Sequence, residues 1–394
     1  MKIGFVTGEY PPMEGGVGAF TQELAKAMTA LGHEIHILTD RAARPETPRR
    51  RARALKDPYD LGFAQLYPLV KRWRWPFLAQ TADWAVRYDL DLINVQYQAA
   101  AYNMRSPAAN YLPWRLKGML KTAVTFHDLR VPYLFPKAGP LRRAAVNHLA
   151  RHAHGVITTN RADEQTLASW LQTPLTTIPI GSNIPTYTPT DEEKTAVRQQ
   201  LGLAPNDTLL GYFGFLNESK GADSLIGALA GLDEQTHLVF IGGNIGASDT
   251  SNNATFLAQL RAEIAQRGLE SRVHWTGFVS EKEVSTYLHA ADMMVMPYRD
   301  GVSLRRGTLM AVLAHGCPLI TTTPQTPTSE LKHRQHAWFV APDNQTELAQ
   351  AIQILQKDDT LRQQLGDGAA QVARLFSWEG IAEETAVFFT KLFD

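Results

Sequence analysis

Residues 3–18 read IGFVTGEYPPMEGGVG, an apolar run rich in β-forming residues that ends in a glycine-rich loop. Apolar residues at helical spacing follow, at Leu24, Ala25, Met28 and Leu31, so the segment predicts a strand, a loop and a helix. The backbone N–H groups and positive dipole end of such a helix suit an anionic ligand. The spacing differs from the G-x-G-x-x-G of dinucleotide sites, and a tight turn without a ligand would explain the same residues.

The same alternation of short apolar runs and helical patterns recurs along the chain. The runs in the first half are Ile3–Val6, Ile35–Leu38, Leu92–Val95, Ala123–Phe126, Val156–Thr158 and Thr177–Ile178. Those in the second half are Leu209–Phe213, Leu238–Ile241, Val273–Trp275, Met293–Met296 and Leu319–Thr321. Strands that alternate with helices form parallel sheets, and two such series predict an α/β protein with two Rossmann-like, doubly wound domains.

A proline- and threonine-rich stretch at residues 182–190 separates the two series. Proline and threonine there favour an extended connector over a helix. We therefore expect an N-terminal domain over residues 1–183 and a C-terminal domain over residues 184–377. Residues 378–394 predict a last helix whose apolar face packs back across the first domain.

Composition and charge narrow the class of protein. The 394 residues contain 39 Lys and Arg against 39 Asp and Glu, and this balance argues against an obligate nucleic-acid binder. The balance hides a division, because residues 1–183 carry 23 basic and 14 acidic residues (+9), whereas residues 184–394 carry 16 and 25 (−9). The single cysteine, Cys317, excludes an internal disulfide framework and suggests a reducing compartment. We expect a cytoplasmic protein, with peripheral contact at the inner membrane face as a further option.

Several short motifs stand in a fixed order along the chain. In the first half they are YPP at 10–12, GGVG at 15–18, GHEI at 32–35, TFHD at 125–128 and IPIG at 178–181. In the second half they are FGFL at 213–216, KG at 220–221, VHWTGF at 273–278, ADMMVMP at 291–297 and AHGCPLI at 314–320. In this order and spacing the chain resembles the retaining glycosyltransferases of family 4, which have the GT-B fold.

The resemblance implies two Rossmann-like domains that face a central cleft. It implies that a nucleotide-diphosphate sugar is held mainly by the second domain and the acceptor, sugar- or lipid-linked, mainly by the first. The transfer, of a hexosyl group for example, would proceed with retention, by front-face attack assisted by the departing phosphate. The resemblance implies neither a metal nor a cofactor, because basic side chains and helix dipoles neutralise the diphosphate and the nucleotide sugar is a substrate.

The chain departs from the family pattern at three positions. Phe215 stands where the family has a diphosphate-binding arginine, and Ser303 and Ala311 stand where it has two glutamates eight residues apart. Asp300 and Gly301 replace the first acidic-glycine pair if the loop is about three residues longer than usual.

Two arginines precede the alanine-rich helix that follows this loop. With Ser303 as its N-cap, the helix would place Arg305 and Arg306 in its first turn, where the dipole disfavours cations. We hypothesise that they bind the donor diphosphate in place of the arginine missing at Phe215, since guanidinium groups suit phosphate oxygens. The alternative is a solvated or salt-bridged pair at a helix end.

The resemblance also predicts the remaining site residues. His127 matches the histidine that contacts the donor sugar near the reaction centre, and Lys220 matches the phosphate-binding lysine. The residues assigned to the donor are Gly15, Gly16, Lys220, Gly277, Phe278, Ser303, Arg305, Arg306, Gly307 and Thr308. Those assigned to the acceptor are Tyr10, Gln96 and Asp128, with Tyr298 and Arg299 as further residues lining the donor cleft.

Basic and aromatic residues are interleaved in the first half. They include seven cations in residues 41–56, the segment LYPLVKRWRWPFL at 66–78, and further residues around Trp114 and Arg142. Three interpretations stay open: contact with an anionic membrane, an anionic or sugar-binding acceptor surface, or a solvated basic face with aromatic residues in the core. For the whole chain, the alternatives to a transferase are a catalytically silent GT-B binding subunit and a GT-B nucleotide-sugar epimerase.

Overall fold

The computed structural model describes residues 1–13, 15–45, 58–243, 250–326 and 328–394. Their contacts divide the chain into two compact units: Met1–Ile180 with Trp378–Asp394, and Gly181–Ser377. The first unit therefore ends at residue 180, inside the IPIG motif, and the last helix belongs to it. Arg49, Arg50, Arg51, Arg53 and Lys56 of the basic segment lie outside the described residues.

The first unit is built on a mostly parallel sheet. Its strands are β1 (Lys2–Thr7), β2 (Glu34–Asp40), β3 (Tyr59–Asp60), β4 (Gln65–Val70), β5 (Leu92–Tyr97), β6 (Lys121–Phe126), β7 (Gly155–Thr158) and β8 (Leu175–Thr177). They lie in the order β3-β4-β2-β1-β5-β6-β7-β8, with only the β3–β4 pair antiparallel. The near-continuous apolar runs of these strands fit a sheet that is covered on both faces.

Helices cover both faces of this sheet. They are α1 (Gly16–Ala30), α2 (Pro76–Arg87), α3 (Leu112–Leu116), α4 (Pro140–His152), α5 (Arg161–Ala168) and α13 (Trp378–Lys391). Ile381, Ala382 and Phe389 of α13 share one buried cluster with Ile3 and Phe5 of β1. The apolar face of the last helix therefore lies in the core of the first unit.

Strand β4 lies where the sequence suggested only a basic, aromatic segment. Its Pro68 is a poor strand former, and the pairing register with β2 shifts beside it, between Thr39 and Asp40. Tyr67 and Trp73 of the segment are buried in the core. Part of that segment is therefore structural.

The second unit repeats the architecture. Its strands are β9 (Thr208–Phe213), β10 (Thr236–Ile241), β11 (Val273–Trp275), β12 (Met293–Met296), β13 (Leu319–Thr322) and β14 (Trp338–Val340), in the parallel order β11-β10-β9-β12-β13-β14. Its helices are α6 (Asp191–Gln200), α7 (Ala222–Leu229), α8 (Thr250–Gln266), α9 (Glu281–Ala290), α10 (Gly307–Ala314), α11 (Gln345–Gln356) and α12 (Asp359–Ala373). Capping boxes at Thr190 and Ser280 define the starts of α6 and α9.

The strand order locates the candidate sites. It reverses between β1 and β5 in the first unit and between β9 and β12 in the second. Ligands of doubly wound folds bind beyond the carboxyl ends of the strands at this switch point. Within the described ranges, no helix has both the length and the apolar character needed to cross a bilayer.

Candidate active site

The switch point of the second unit brings Lys220 next to Gly214. Gly214 follows β9 with φ of 120°, and a Cβ atom there would lie 2.8 Å from Thr308 Cγ2 and 3.5 Å from Lys220 Nζ. Lys220 Nζ donates a hydrogen bond to the Phe215 carbonyl oxygen at 2.6 Å. Burial, together with the neighbouring Arg306 guanidinium, lowers the pKa of Lys220 to about 8. Glycine at 214 thus makes room for the Thr308 methyl group and allows the positive φ at the strand end, where Lys220 also lies.

The position of Arg306 corrects the helix start expected from the sequence. Helix α10 begins at Gly307, and Arg306 occupies its N-cap position in an extended conformation, with φ of −100° and ψ of 111°. Ser303 is not the cap, because residues 303–306 form a turn in which Arg306 N donates to Ser303 O at 3.3 Å. The extended backbone lets the Arg306 side chain lie over the Tyr298 ring, 4.1 Å from its centroid. The N–H groups of Gly307 and Thr308 then begin the helix and lack intrahelical acceptors.

Arg306 is held from two sides but keeps unused hydrogen-bonding capacity. One Nη donates to Asp300 Oδ1, and the side chain is 14% exposed. Its buried Nε has no hydrogen-bond partner among the described residues, and neither does the hydroxyl of buried Tyr212. Arg305 is exposed. The structure therefore separates the two arginines, and only Arg306 accompanies Lys220 at the strand ends.

Tyr298 is too buried to line the donor cleft as expected, and Arg299 is held by carboxylates. Tyr298 is fully buried, where its ring supports Arg306. Arg299 bonds to the carboxylates of Asp223 and Asp343 and lies 3.5 Å from Glu218. Both residues therefore support the loops around the switch point.

A turn at Gly277 and Phe278 follows β11, two strands from β9 and about 10 Å away at the usual strand spacing. Thr276 Oγ1 accepts from Gly242 N at 3.0 Å and donates to Gly277 O at 2.8 Å, which braces the turn. Gly277 has φ of 65°. The Phe278 side chain is 80% exposed, so its ring face is open to a planar ligand.

In the first unit, His127 follows β6 and is hydrogen-bonded to Gln96. Its Nε2 lies 2.9 Å from Gln96 Oε1, and the Phe20 ring packs edge-on, 4.7 Å between centroids. Burial lowers the pKa of His127 to about 3. Gln96 is fully buried, so the expectation that it contacts the acceptor is wrong. A side chain without exposed surface acts only through its neighbours.

Two other residues assigned to the acceptor differ in exposure. Tyr10 is 2% exposed and lies in the core beside α1, so it cannot bind an acceptor directly as expected. Its position after the buried β1 strand explains this burial. Asp128 is partly exposed, and its carboxylate accepts from Gln98 Nε2 and Arg130 N, both at 3.1 Å. Asp128 thus remains a candidate contact.

A carboxylate of the protein itself occupies the start of α1. Glu9 Oε1 accepts from Val17 N at 2.9 Å and from Gly18 N at 3.4 Å. A Cβ atom at Gly15 would lie 2.1 Å from the Glu9 carboxyl group, so glycine at 15 makes room for Glu9. Burial raises the pKa of Glu9, and the two amides act against that rise. Of the glycines expected to bind the donor, only Gly16 is exposed.

Comparisons with known proteins assign the two units to one family. A sequence profile described as glycosyl transferases group 1 matches residues 193–372, and one described as Glycosyltransferase Family 4 matches residues 14–184. The chain belongs to the family 4-type glycosyltransferases, which have the GT-B fold. Sucrose-phosphate synthase from Thermosynechococcus elongatus superimposes with a TM-score of 0.78 at 20% identity, over 100% of this chain and 99% of that one. Anabaena HepE, solved with UDP and glucose, gives 0.74 at 19% identity, over 99% and 100%.

A curated relative of this glycosyltransferase matches only in part. D-inositol 3-phosphate glycosyltransferase of Jonesia denitrificans is 28% identical over 221 residues, which cover 54% of this chain and 50% of that protein. The chain thus spans about half the length of this relative. The match supports membership of the family, but it does not identify the substrates.

The structure shows what occupies the positions at which this glycosyltransferase departs from the family pattern. Phe215 is partly buried, and its ring packs against Gly243. A Cβ atom at position 243 would lie 3.2 Å from this ring. Ala311 is fully buried within α10. Asp300, which the sequence suggested as a replacement for the first glutamate, is paired with Arg306.

One feature missed from the sequence is a pair of polar residues in buried strands. Asn94 of β5 and Thr125 of β6 are 0% and 3% exposed and hydrogen-bond to each other at 3.0 Å. The sequence did contain a signal for this pair, because Asn94 and Gln96 are polar residues two apart in an apolar strand. Buried polar groups require hydrogen-bond partners, so this spacing indicates a polar network inside the sheet.

Proposed function

We propose that this glycosyltransferase transfers a hexosyl group from a nucleotide-diphosphate sugar, with retention, to a sugar- or lipid-linked acceptor. The observation that carries the proposal is that two cations meet at the switch point of the second unit. Lys220 is buried and bonded to a carbonyl oxygen, and Arg306 keeps an unbonded Nε beside its pairing with Asp300. Like charges held together in a buried site favour an anionic ligand, since an opposite charge stabilises both. A diphosphate provides that charge.

Each part of the donor has a candidate partner in the second unit. Lys220, Arg306 and the N–H groups of Gly307 and Thr308 would bind the diphosphate. The exposed ring of Phe278 would contact the base, two strands away. We propose that these groups make a metal and a cofactor unnecessary. In the first unit, His127 is assigned to the reaction centre by the family resemblance.

The decisive experiment measures donor binding and turnover separately. Thermal shifts with UDP, GDP, ADP and TDP and their sugars would find the donor, because a bound ligand raises apparent stability by mass action. The anomeric configuration of the transferred sugar and activity in EDTA would test retention and metal independence. Binding without transfer or hydrolysis would favour a silent subunit, and release of an epimerised sugar would favour an epimerase. Failure to bind any of these nucleotides would refute the donor site.

For the acceptor, we propose a lipid-linked molecule reached from an anionic membrane surface. The support is an aromatic patch of the first unit, formed by Trp75, Tyr111, Trp114 and Met119. Trp75 and Trp114 are 53% and 52% exposed, and both rings pack against Tyr111 at centroid distances of 5.2 and 6.4 Å. Exposed cations flank the patch, namely Arg74, Arg115 and Lys117. Tryptophan beside basic residues is typical of membrane-interface contacts.

Vesicle sedimentation tests this surface. The protein should pellet with vesicles that contain phosphatidylglycerol, less with pure phosphatidylcholine, and less at high salt, because salt screens the attraction. The Trp75→Ala, Trp114→Ala double variant should lose binding. Phe393→Ala is the matched control, since Phe393 is 46% exposed beside Lys121 elsewhere in the first unit. No binding at low salt would contradict the membrane proposal and favour a water-soluble acceptor.

A further inference from the structure

Four polar side chains share one face of the sheet at the end of β5 and β6. Asn94 and Gln96 are two residues apart on β5, and Thr125 and His127 are two residues apart at the end of β6. Because side chains alternate along a strand, each pair lies on one face. Gln96 is the register partner of Thr125, so the two pairs are adjacent. Of the four, His127 is partly exposed and the other three are buried.

These side chains form one hydrogen-bond network, in which Thr125 Oγ1 donates to Asn94 Oδ1 at 3.2 Å. Asn94 Nδ2 donates to Thr125 Oγ1 at 3.0 Å. Gln96 Nε2 donates to Asn94 Oδ1, which turns Gln96 Oε1 toward His127 Nε2 at 2.9 Å. A carboxamide oxygen only accepts. His127 Nε2 must therefore carry a proton to make this bond.

We propose that Gln96 is a positioning residue that fixes His127 as its neutral Nε2–H tautomer, so that Nδ1 accepts a hydrogen bond from a ligand hydroxyl. No described residue hydrogen-bonds to Nδ1. The ring is buried enough to stay neutral, and the edge-on contact with Phe20 restricts its orientation. Asn94 and Thr125 hold the Gln96 amide in the required direction.

The assignment identifies the chemistry of the group that faces His127. An unprotonated ring nitrogen and a phosphate or carboxylate oxygen are both acceptors, so they do not bond to each other. A sugar hydroxyl can donate and fits Nδ1. This step deepens the proposed function and rests on it for the identity of the ligand, whereas the tautomer is a property of the free protein.

Nitrogen NMR of the ligand-free protein tests the tautomer directly. Long-range proton–nitrogen spectra of the 12 histidines show which ring nitrogen carries the proton, and the His127 signals are those missing in His127→Asn. We expect Nε2–H in the wild type. In Gln96→Leu the tautomer ratio should change by about 2- to 12-fold, the range for loss of one neutral hydrogen bond. An Nδ1–H ring in the wild type, or an unchanged ratio in Gln96→Leu, would overturn the proposal.

Two further variants separate positioning from stability. Gln96→Glu keeps an oxygen acceptor and should retain the Nε2–H tautomer even if Gln96→Leu does not fold; an Nδ1–H ring there would also overturn the proposal. Asn110→Ala removes another buried amide of the first unit, bonded to Tyr97 at 2.8 Å, and should leave the His127 ratio unchanged. Because no ligand is present, these results do not depend on transferase activity. A protein with no nucleotide-sugar turnover can still confirm or refute the tautomer.

Discussion

Replacing Arg306 by alanine is the sharpest perturbation of the proposed donor site. The change removes a guanidinium that is 14% exposed, stacked on Tyr298 and bonded to Asp300. It leaves Lys220 as the remaining cation of the pair. It also changes the N-cap residue of α10, the helix that begins at Gly307.

The expected loss follows from the chemistry of one charged hydrogen bond. Such a bond contributes about 1.5–3 kcal/mol, which corresponds to a rise of about 10- to 150-fold in the Kd for a nucleoside diphosphate. Arg306→Lys should fall between wild type and alanine. Lysine keeps the charge, but it loses the planar group that stacks on Tyr298 and can bind two phosphate oxygens.

The two cations are coupled, and this adds a pH signature. Lys220 has a pKa of about 8 in the free protein, and a diphosphate binds its protonated form. Affinity should therefore fall as the pH rises above 8. In Arg306→Ala one cause of the lowered pKa is gone, so the pKa of Lys220 rises and the decline should begin at higher pH. Calorimetric titration with the diphosphate found by the thermal screen measures both effects.

Arg305→Ala is the matched control, because Arg305 precedes Arg306 and is exposed. Its removal should change the Kd by less than about fivefold, as expected for a surface charge. Equal effects of the two alanine variants would show that the arginines act through general surface charge. An unchanged Kd in Arg306→Ala, with the fold intact, would refute the assignment of Arg306 to the diphosphate.

Two further predictions concern stability. Gly221→Ala should lower the free energy of unfolding in urea by about 1–3 kcal/mol more than Gly202→Ala does. Both glycines are left-handed (φ 69° and 75°), but a Cβ atom at Gly221 would lie 2.0 Å from Pro297 O, whereas one at Gly202 would have no atom within 4 Å. Equal losses in the two variants would contradict the close approach. For His127, the pKa of about 3 in the fold against 6.5 for the free side chain means that the unfolded chain binds the proton more readily. The wild type should thus lose about 1.6 kcal/mol more than His127→Asn between pH 6.5 and 5, and parallel pH profiles would disprove the buried neutral ring.

Local sequence patterns were enough to predict the doubly wound fold. Buried runs such as those at Leu209–Phe213 and Met293–Met296 became adjacent strands of the second sheet, because apolar runs between helices have few other stable arrangements. The family resemblance drew attention to Lys220 and the neighbouring arginines. Patterns of this kind consist of residue types and their spacing, and this information is enough to predict where strands and loops lie.

The sequence could not predict the direction of individual side chains or their tertiary partners. Ser303 is a good N-cap residue, but the pairing of Arg306 with Asp300 and Tyr298 moves the helix start to Gly307. Such tertiary contacts override a capping preference of about 1 kcal/mol. Gln96 was assigned to the acceptor, yet it is fully buried and the direction of its amide is defined by its neighbours.

The net charge of each half is a poor guide to where anions bind. Residues 184–394 carry a net charge of −9, yet this half holds the proposed diphosphate site. Exposed carboxylates farther away than a Debye length, about 8 Å at physiological salt, are largely screened. Lys220 and Arg306 act in a site with little water, where each charge interacts more strongly. An anion that reaches both cations and the α10 amides therefore gains contacts that the net charge of the unit does not reveal.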